Sequence, residues 1–151
     1  MDVNDIIFYV LDLLIFIMLV RWLINCRDLE VKTSVGKYGK LMIPALFIIV
    51  AVIGWFKYEG TFKYVQTAAL ILFGIMYLCL NSGLSAKGIV MNGALTPWDK
   101  AGELTLSKKD SCLIYTYKKR QAALYFKPEE LPQVREFLQK QTKLRKSAKK
   151  D

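Results

Sequence analysis

Apolar positions run almost unbroken through residues 6–24, 41–56 and 64–80, and beyond residue 80 they break into short alternating stretches. The first run, IIFYVLDLLIFIMLVRWLI, makes roughly 28 Å of helix, against a hydrocarbon thickness of about 30 Å. The second and third, LMIPALFIIVAVIGWF and YVQTAALILFGIMYLCL, are separated only by KYEGTFK at 57–63. Neither carries a polar face wide enough for a soluble helix, so the pattern predicts three transmembrane helices within residues 1–80. Pro44 falls near the predicted start of the second helix, where a missing N–H costs little. That helix is short, and Lys40 and Lys57 are expected to snorkel at its ends. The first run lacks both a positive leading region and a small-residue cleavage site, which predicts a retained helix.

After residue 80 the period changes. Residues 87–91 and 94–98 flank Asn92-Gly93, a strong hairpin signal because a type I′ turn needs two positive φ angles. Residues 102–106 read as a third strand. Residues 112–117 and 121–126 flank Lys118-Lys119-Arg120 as a second hairpin, with Leu113, Tyr115 and Tyr117 alternating with Cys112, Ile114 and Thr116. Asn81-Ser82-Gly83 reads as a stop and turn, and 25–40 as a polar link broken by Gly36 and Gly39. Pro132 opens a terminal helix whose apolar face is Val134, Phe137, Leu138 and Leu144. Five short strands cannot close a core alone, so that helix is expected to cap the sheet. The predicted fold is a membrane protein of three transmembrane α-helices (1–80), followed by a small α+β domain over 81–146. That domain has antiparallel strands and a C-terminal helix, and a disordered basic tail at 147–151 follows it.

Charge gives this plan a direction. The chain has 151 residues and a formal net charge of +9. Residues 1–80 hold seven Lys/Arg and six Asp/Glu, whereas 81–151 hold fifteen against seven. With the N-terminus outside, the 25–40 link and the 81–151 segment place nineteen basic residues inside and leave Lys57 and Lys63 outside. The positive-inside rule therefore predicts a multi-pass protein of the plasma membrane, N-terminus outside and C-terminus cytoplasmic. In that frame Trp55, Tyr58, Phe62 and Tyr64 belong to the outer interface, and Trp22 and Tyr77 to the inner one. Cys26, Cys79 and Cys112 form no CxxC pair and fall on the reducing side, which predicts free thiols. The chain has no histidine. That removes Ser-His-Asp and Cys-His catalysis and His-ligated metals, and no catalytic residue, metal site or cofactor is expected.

The stretch KGIVMNGALTPWDKAGELTL, followed by a further hairpin and a terminal helix, resembles the membrane-tethered, pleckstrin-homology-like domains of small bacterial proteins, the YcxB-like group. Gly88, Ile89, Gly93, Pro97 and Trp98 match its hairpin pattern, and Ala101 stands where a larger aliphatic is usual. The resemblance covers residues 84–145. It implies a pleckstrin-homology-like fold and no catalytic residues. By analogy with some relatives, it also implies a link to immunity against membrane-active bacteriocins.

Two groups of polar residues invite a role. Asp12 lies about 9 Å inside the first run, where a carboxylate costs up to about 2.5–3.5 kcal/mol. Gln66 and Thr67, at similar depth in the third run, are its expected partners, with Tyr9 beside them. The cluster reads either as a hydrated or protonated group facing the bundle, or as an ion, proton or peptide contact. The second group is Lys118, Lys119 and Arg120 together with Lys143, Arg145 and Lys146. Near an anionic inner leaflet each such charge contributes about 1 kcal/mol, so lipid or partner contact stands beside simple solvated charge. Tyr115, Tyr117 and Tyr125 beside this charge superficially suggest base stacking, yet no RNA-binding motif occurs, so nucleic acid is not an expected partner. Trp98 is expected to anchor the core. The expected partners are the anionic bilayer and a protein, either another chain or a second copy. The function classes in play are a non-enzymatic membrane-anchored interaction module, an immunity protein, and a small transporter or enzyme-complex subunit using Asp12.

Overall fold

The computed structural model describes residues 2–33 and 37–148, with the backbone alone described for 37–39 and 144–148. Three helices come first: α1 (Val3–Arg27), α2 (Lys37–Lys57) and α3 (Gly60–Leu78), with strand β1 (Leu29–Thr33) between α1 and α2. Six strands follow: β2 (Ser82–Ser85), β3 (Gly88–Met91), β4 (Ala94–Pro97), β5 (Leu104–Ser107), β6 (Cys112–Tyr117) and β7 (Arg120–Tyr125). A 3-10 turn (Pro128–Glu130) leads into the terminal helix α4 (Leu131–Ala148). The chain divides into two compact units, 1–24 with 36–80 and 25–35 with 81–151.

In the first unit, all three helices are long and apolar enough to cross a membrane. Their outward faces are apolar, with Ile7, Leu14, Ile49, Ile53, Phe56 and Ile75 exposed, a surface suited to hydrocarbon and an aggregation liability in water. α2 and α3 form a hairpin joined by Tyr58 and Glu59 alone, because α3 begins at Gly60 and so takes in most of the expected 57–63 link. Buried Gly74 packs on Phe47 and Pro44, and the Phe47 and Phe73 rings meet edge-on at 6.2 Å. α2 also starts earlier than expected. Pro44 is therefore inside the helix rather than in its first turn, and it removes one helical hydrogen bond. Spanning helices tolerate this because neighbouring helices and local adjustments re-satisfy the freed backbone groups. The aromatics assigned to one interface do cluster: Phe8 and Tyr9 pack on Phe62, Tyr58 packs on Phe62 and Phe8, and Trp55 on Tyr64. Lys63 Nζ lies 4.1 Å from the Trp55 ring centre.

Among the described residues the second unit holds seven strands rather than five, in two antiparallel sheets ordered β1-β2-β3-β4 and β5-β6-β7. Residues 29–33, expected in a polar link of the helical region, form the edge strand of the first sheet. Leu29, Val31 and Thr33 alternate with Glu30 and Lys32, so one side of the segment is fit for burial. Ser82 and Gly83, read as a turn, pair with Thr33 and Lys32 instead. The third predicted strand is shifted to 104–107, although the Gly102 N–H still donates to Thr116 O at 2.7 Å. Helix α4 continues through residues 147 and 148, assigned above to a disordered tail, and 149–151 lie outside the described residues.

Leu84 and Ile89 from the first sheet, Trp98 from the turn just after β4, Leu113, Tyr115 and Leu124 from the second sheet, and Val134 and Phe137 from α4 form one core. Trp98 anchors its margin: its indole N–H donates to Ser85 O at 3.0 Å and its ring packs on Phe137. At Gly88 β4 passes so close that a side chain there would run into the backbone of Thr96 and Pro97.

Candidate interaction surface

Two of the three two-residue hairpins among the described residues of the sheet domain, β3–β4 and β6–β7, close with the same left-handed backbone shape but different side chains. Pairing of Met91 with Ala94, and of Tyr117 with Arg120, leaves two residues in each loop. Asn92 and Gly93 have φ of 47° and 86°, and Lys118 and Lys119 have 48° and 63°. Asn and Gly adopt this left-handed region readily, whereas for lysine it costs about 1–2 kcal/mol per residue.

The Asn92–Gly93 tip is tied down. The Asn92 N–H donates to Ser82 Oγ at 2.8 Å, and the Ser82 hydroxyl donates back to Asn92 Oδ1 at 3.3 Å. Gly93 donates its N–H to Asn81 O, and Asn25 Nδ2 donates to Gly93 O at 2.9 Å. The buried Cys26 thiol lies between the Asn81 N–H and C=O, 3.2 Å from each. Asn25 and Cys26, in the last turn of α1, therefore hold the start of β2 and the loop opposite it. Nothing in their residue types marked them for this; the nearest sequence signal is their place just before the alternating 29–33.

The Lys118–Lys119 tip reaches solvent, and Lys118, Lys119 and Arg120 are all exposed. Lys118 Nζ stands 5.4 Å from the centre of the Tyr117 ring. Beside it is a cleft of about 410 Å³ lined by Tyr115, Tyr117, Lys118, Arg120 and Ala122. Strand register explains the set: Tyr115 faces Ala122 and Tyr117 faces Arg120, all on the side of the sheet that carries Leu113 and Leu124 into the core. Tyr115 is buried and hydrogen-bonded to the Thr96 side chain, and burial pushes its hydroxyl above the usual tyrosine range. The cleft thus has an apolar, aromatic floor and a cationic rim. Among the described residues no carboxylate lines it or pairs with the three basic side chains. Such an arrangement can hold an anion attached to an apolar body.

Of the other basic residues, Lys143 is exposed on α4, and the side chains of Arg145 and Lys146 lie outside the described residues. A second depression, about 350 Å³ between β1 and α4, is lined by Glu30, Val31, Gln133, Glu136, Phe137 and Lys140 and carries both signs of charge. In the helical unit, Gln66 Nε2 donates to Asp12 Oδ1 at 3.3 Å. Gln66 is buried, and its Oε1 has no partner among the described residues. Thr67 is half-buried and not part of this bond, and Tyr9 packs on Phe62 instead. A pair of this kind joins α1 to α3 with about 0.6 kcal/mol on average. Cys79 is exposed, whereas Cys26 and Cys112 are buried.

The class this defines is a chain of three long, apolar helices with a small antiparallel-sheet domain and a C-terminal helix. No protein family's sequence profile matches it, and no curated protein or solved structure matches it.

Proposed function

We propose that this protein is a non-enzymatic, membrane-anchored interaction module. In this reading α1, α2 and α3 span the plasma membrane with the N-terminus outside, and the basic sheet domain, of pleckstrin-homology-like type, works at the cytoplasmic surface. The observation that carries it is the covalent layout. A domain with its own core is joined to long apolar helices by links of one residue after α1 and three after α3. Two short tethers keep such a domain at a bilayer surface, and the excess of Lys/Arg in it favours the cytoplasmic side. Two antiparallel sheets followed by a covering helix are consistent with the pleckstrin-homology-like resemblance, and the unpaired edges of β4 and β7 offer strand addition to a partner.

The test is to tag the protein, crosslink it in native membranes and identify what co-purifies, with an 81–151 deletion alongside. A specific partner lost with the deletion supports the reading. A clean, partnerless protein sinks it. Protease protection of a C-terminal tag in intact cells tests the orientation separately.

A second reading, a small transporter or enzyme-complex subunit, is favoured by one observation, the part-buried Asp12–Gln66 pair, whose Gln66 amide oxygen has no partner among the described residues. It predicts loss of function in Asp12→Asn, which an interaction module would survive.

A further inference from the structure

We propose that the tip of the β6–β7 hairpin, with its tyrosine-floored cleft, is the point where the domain docks on the phosphate of an anionic lipid headgroup. This rests on the reading of the domain as bilayer-tethered, and it adds where the contact is made and with what chemistry.

Three independent features converge on the tip. The first is conformational. Lys118 and Lys119 occupy two consecutive left-handed positions, although the β3–β4 hairpin, which has the same turn shape, fills them with Asn92 and Gly93. Strained positions of this kind are held where a side chain is put to use. The second is electrostatic. Lys118, Lys119 and Arg120 are all exposed with no carboxylate partner among the described residues, and Lys118 and Arg120 line one cleft, whereas Lys87, on the turn between β2 and β3, is neutralised by Asp28 at 2.6 Å. The third is the cleft, where Tyr117 and Ala122 present apolar surface directly beside Lys118 and Arg120. A phosphodiester on the cationic rim with its glycerol against the tyrosine matches both halves, and a bare anion would use only the rim. The short tethers keep such headgroups within reach.

The experiment uses the full chain in nanodiscs, which expose both membrane faces and so do not depend on the orientation in cells. Lysine acylation is followed by mass spectrometry in phosphatidylcholine discs, in the same discs with inorganic phosphate, and in discs that also contain phosphatidylglycerol. Lys108 and Lys109, in the turn at the opposite end of β6, are the internal control, about 20 Å away along the strand. The expected result is acylation of Lys118 and Lys119 about five-fold slower with phosphatidylglycerol only, the factor that corresponds to ~1 kcal/mol per charge. Arg120→Gln should reduce that protection. Equal protection at Lys108 and Lys109 would overturn the proposal, and so would none at either end. Protection by inorganic phosphate to the same extent would overturn the lipid source in favour of a soluble phosphate.

The double substitution Lys118→Asn with Lys119→Gly separates binding from folding, because it gives the turn its preferred residues. It should retain several-fold less phosphatidylglycerol on detergent extraction while melting no lower than the parent. Undiminished lipid retention would overturn the proposal. Co-purification of a protein partner by a chain whose tip shows no lipid protection would leave the interaction module standing and remove only the lipid contact.

Discussion

The β3–β4 and β6–β7 hairpins of the sheet domain use one left-handed turn geometry to opposite ends. At Asn92–Gly93 the residues suit the left-handed backbone, and the loop is fastened by Ser82, Asn81 and Asn25. At Lys118–Lys119 the residues resist that backbone, and the loop is left in solvent with a lysine over a tyrosine ring. The first hairpin is built for stability and joins the two chain segments that make up the domain. The second gives up stability to display charge. Local preference and tertiary ties agree in one and conflict in the other, and a conflict of this kind points to function.

The largest expected effect tests how close-packed the fastened hairpin is. Gly88→Ala would force β3 from β4 and should destabilise the domain by about 3 kcal/mol, read as a lower denaturation midpoint; an unchanged midpoint would mean the strands can part there. Next comes the exchange of tips. Putting lysines at both Asn92 and Gly93 should cost about 2–3 kcal/mol, since it adds left-handed strain and removes the Asn92 side chain from Ser82. The reverse exchange, Lys118→Asn with Lys119→Gly, should stabilise by about 1 kcal/mol and raise the melting temperature. If both exchanges prove neutral, the strain argument falls.

The smallest effect concerns Lys87. Its hydrogen bond and charge hold the Asp28 carboxyl below the usual carboxylate range. A depressed folded-state value means that the contribution is present above the ordinary carboxylate pKa and is lost as the pH falls through the folded value. Lys87→Ala should therefore remove a slight acid-side loss of stability. Because both side chains are exposed, the change should be visible only as a difference between pH titrations of the two proteins.

Much of the plan was legible in the sequence. Unbroken apolar runs longer than a turn or two admit few structures, so the three helices stood out, and their ends moved by only a few residues. Asn92-Gly93 announced its hairpin, and period two in 112–117 divided that strand into two faces, of which the structure turns Leu113 and Tyr115 into the core. β1 was not legible, because five residues with two charges inside a basic link give no local signal until a partner strand is known. β2 was hidden for the opposite reason: Ser82 and Gly83 favour turns. Gly83 is in the strand because Val31 and Lys32 pass too close for any side chain. The basic tip was visible as composition, but not its cleft, since Ala122 and Arg120 come beside the tyrosines only through cross-strand register.

By itself, then, the sequence determined the helices, the hairpins and the asymmetry of charge, because each rests on neighbours a few residues apart. Only the tertiary structure decided that a strand from between the first two helices completes the sheet domain, that Asn25 and Cys26 fasten it, and that lysines can hold a turn they disfavour. Those outcomes depend on contacts between residues more than fifty positions apart, or on a strand pairing strong enough to override local preference, and neither is encoded in any single stretch.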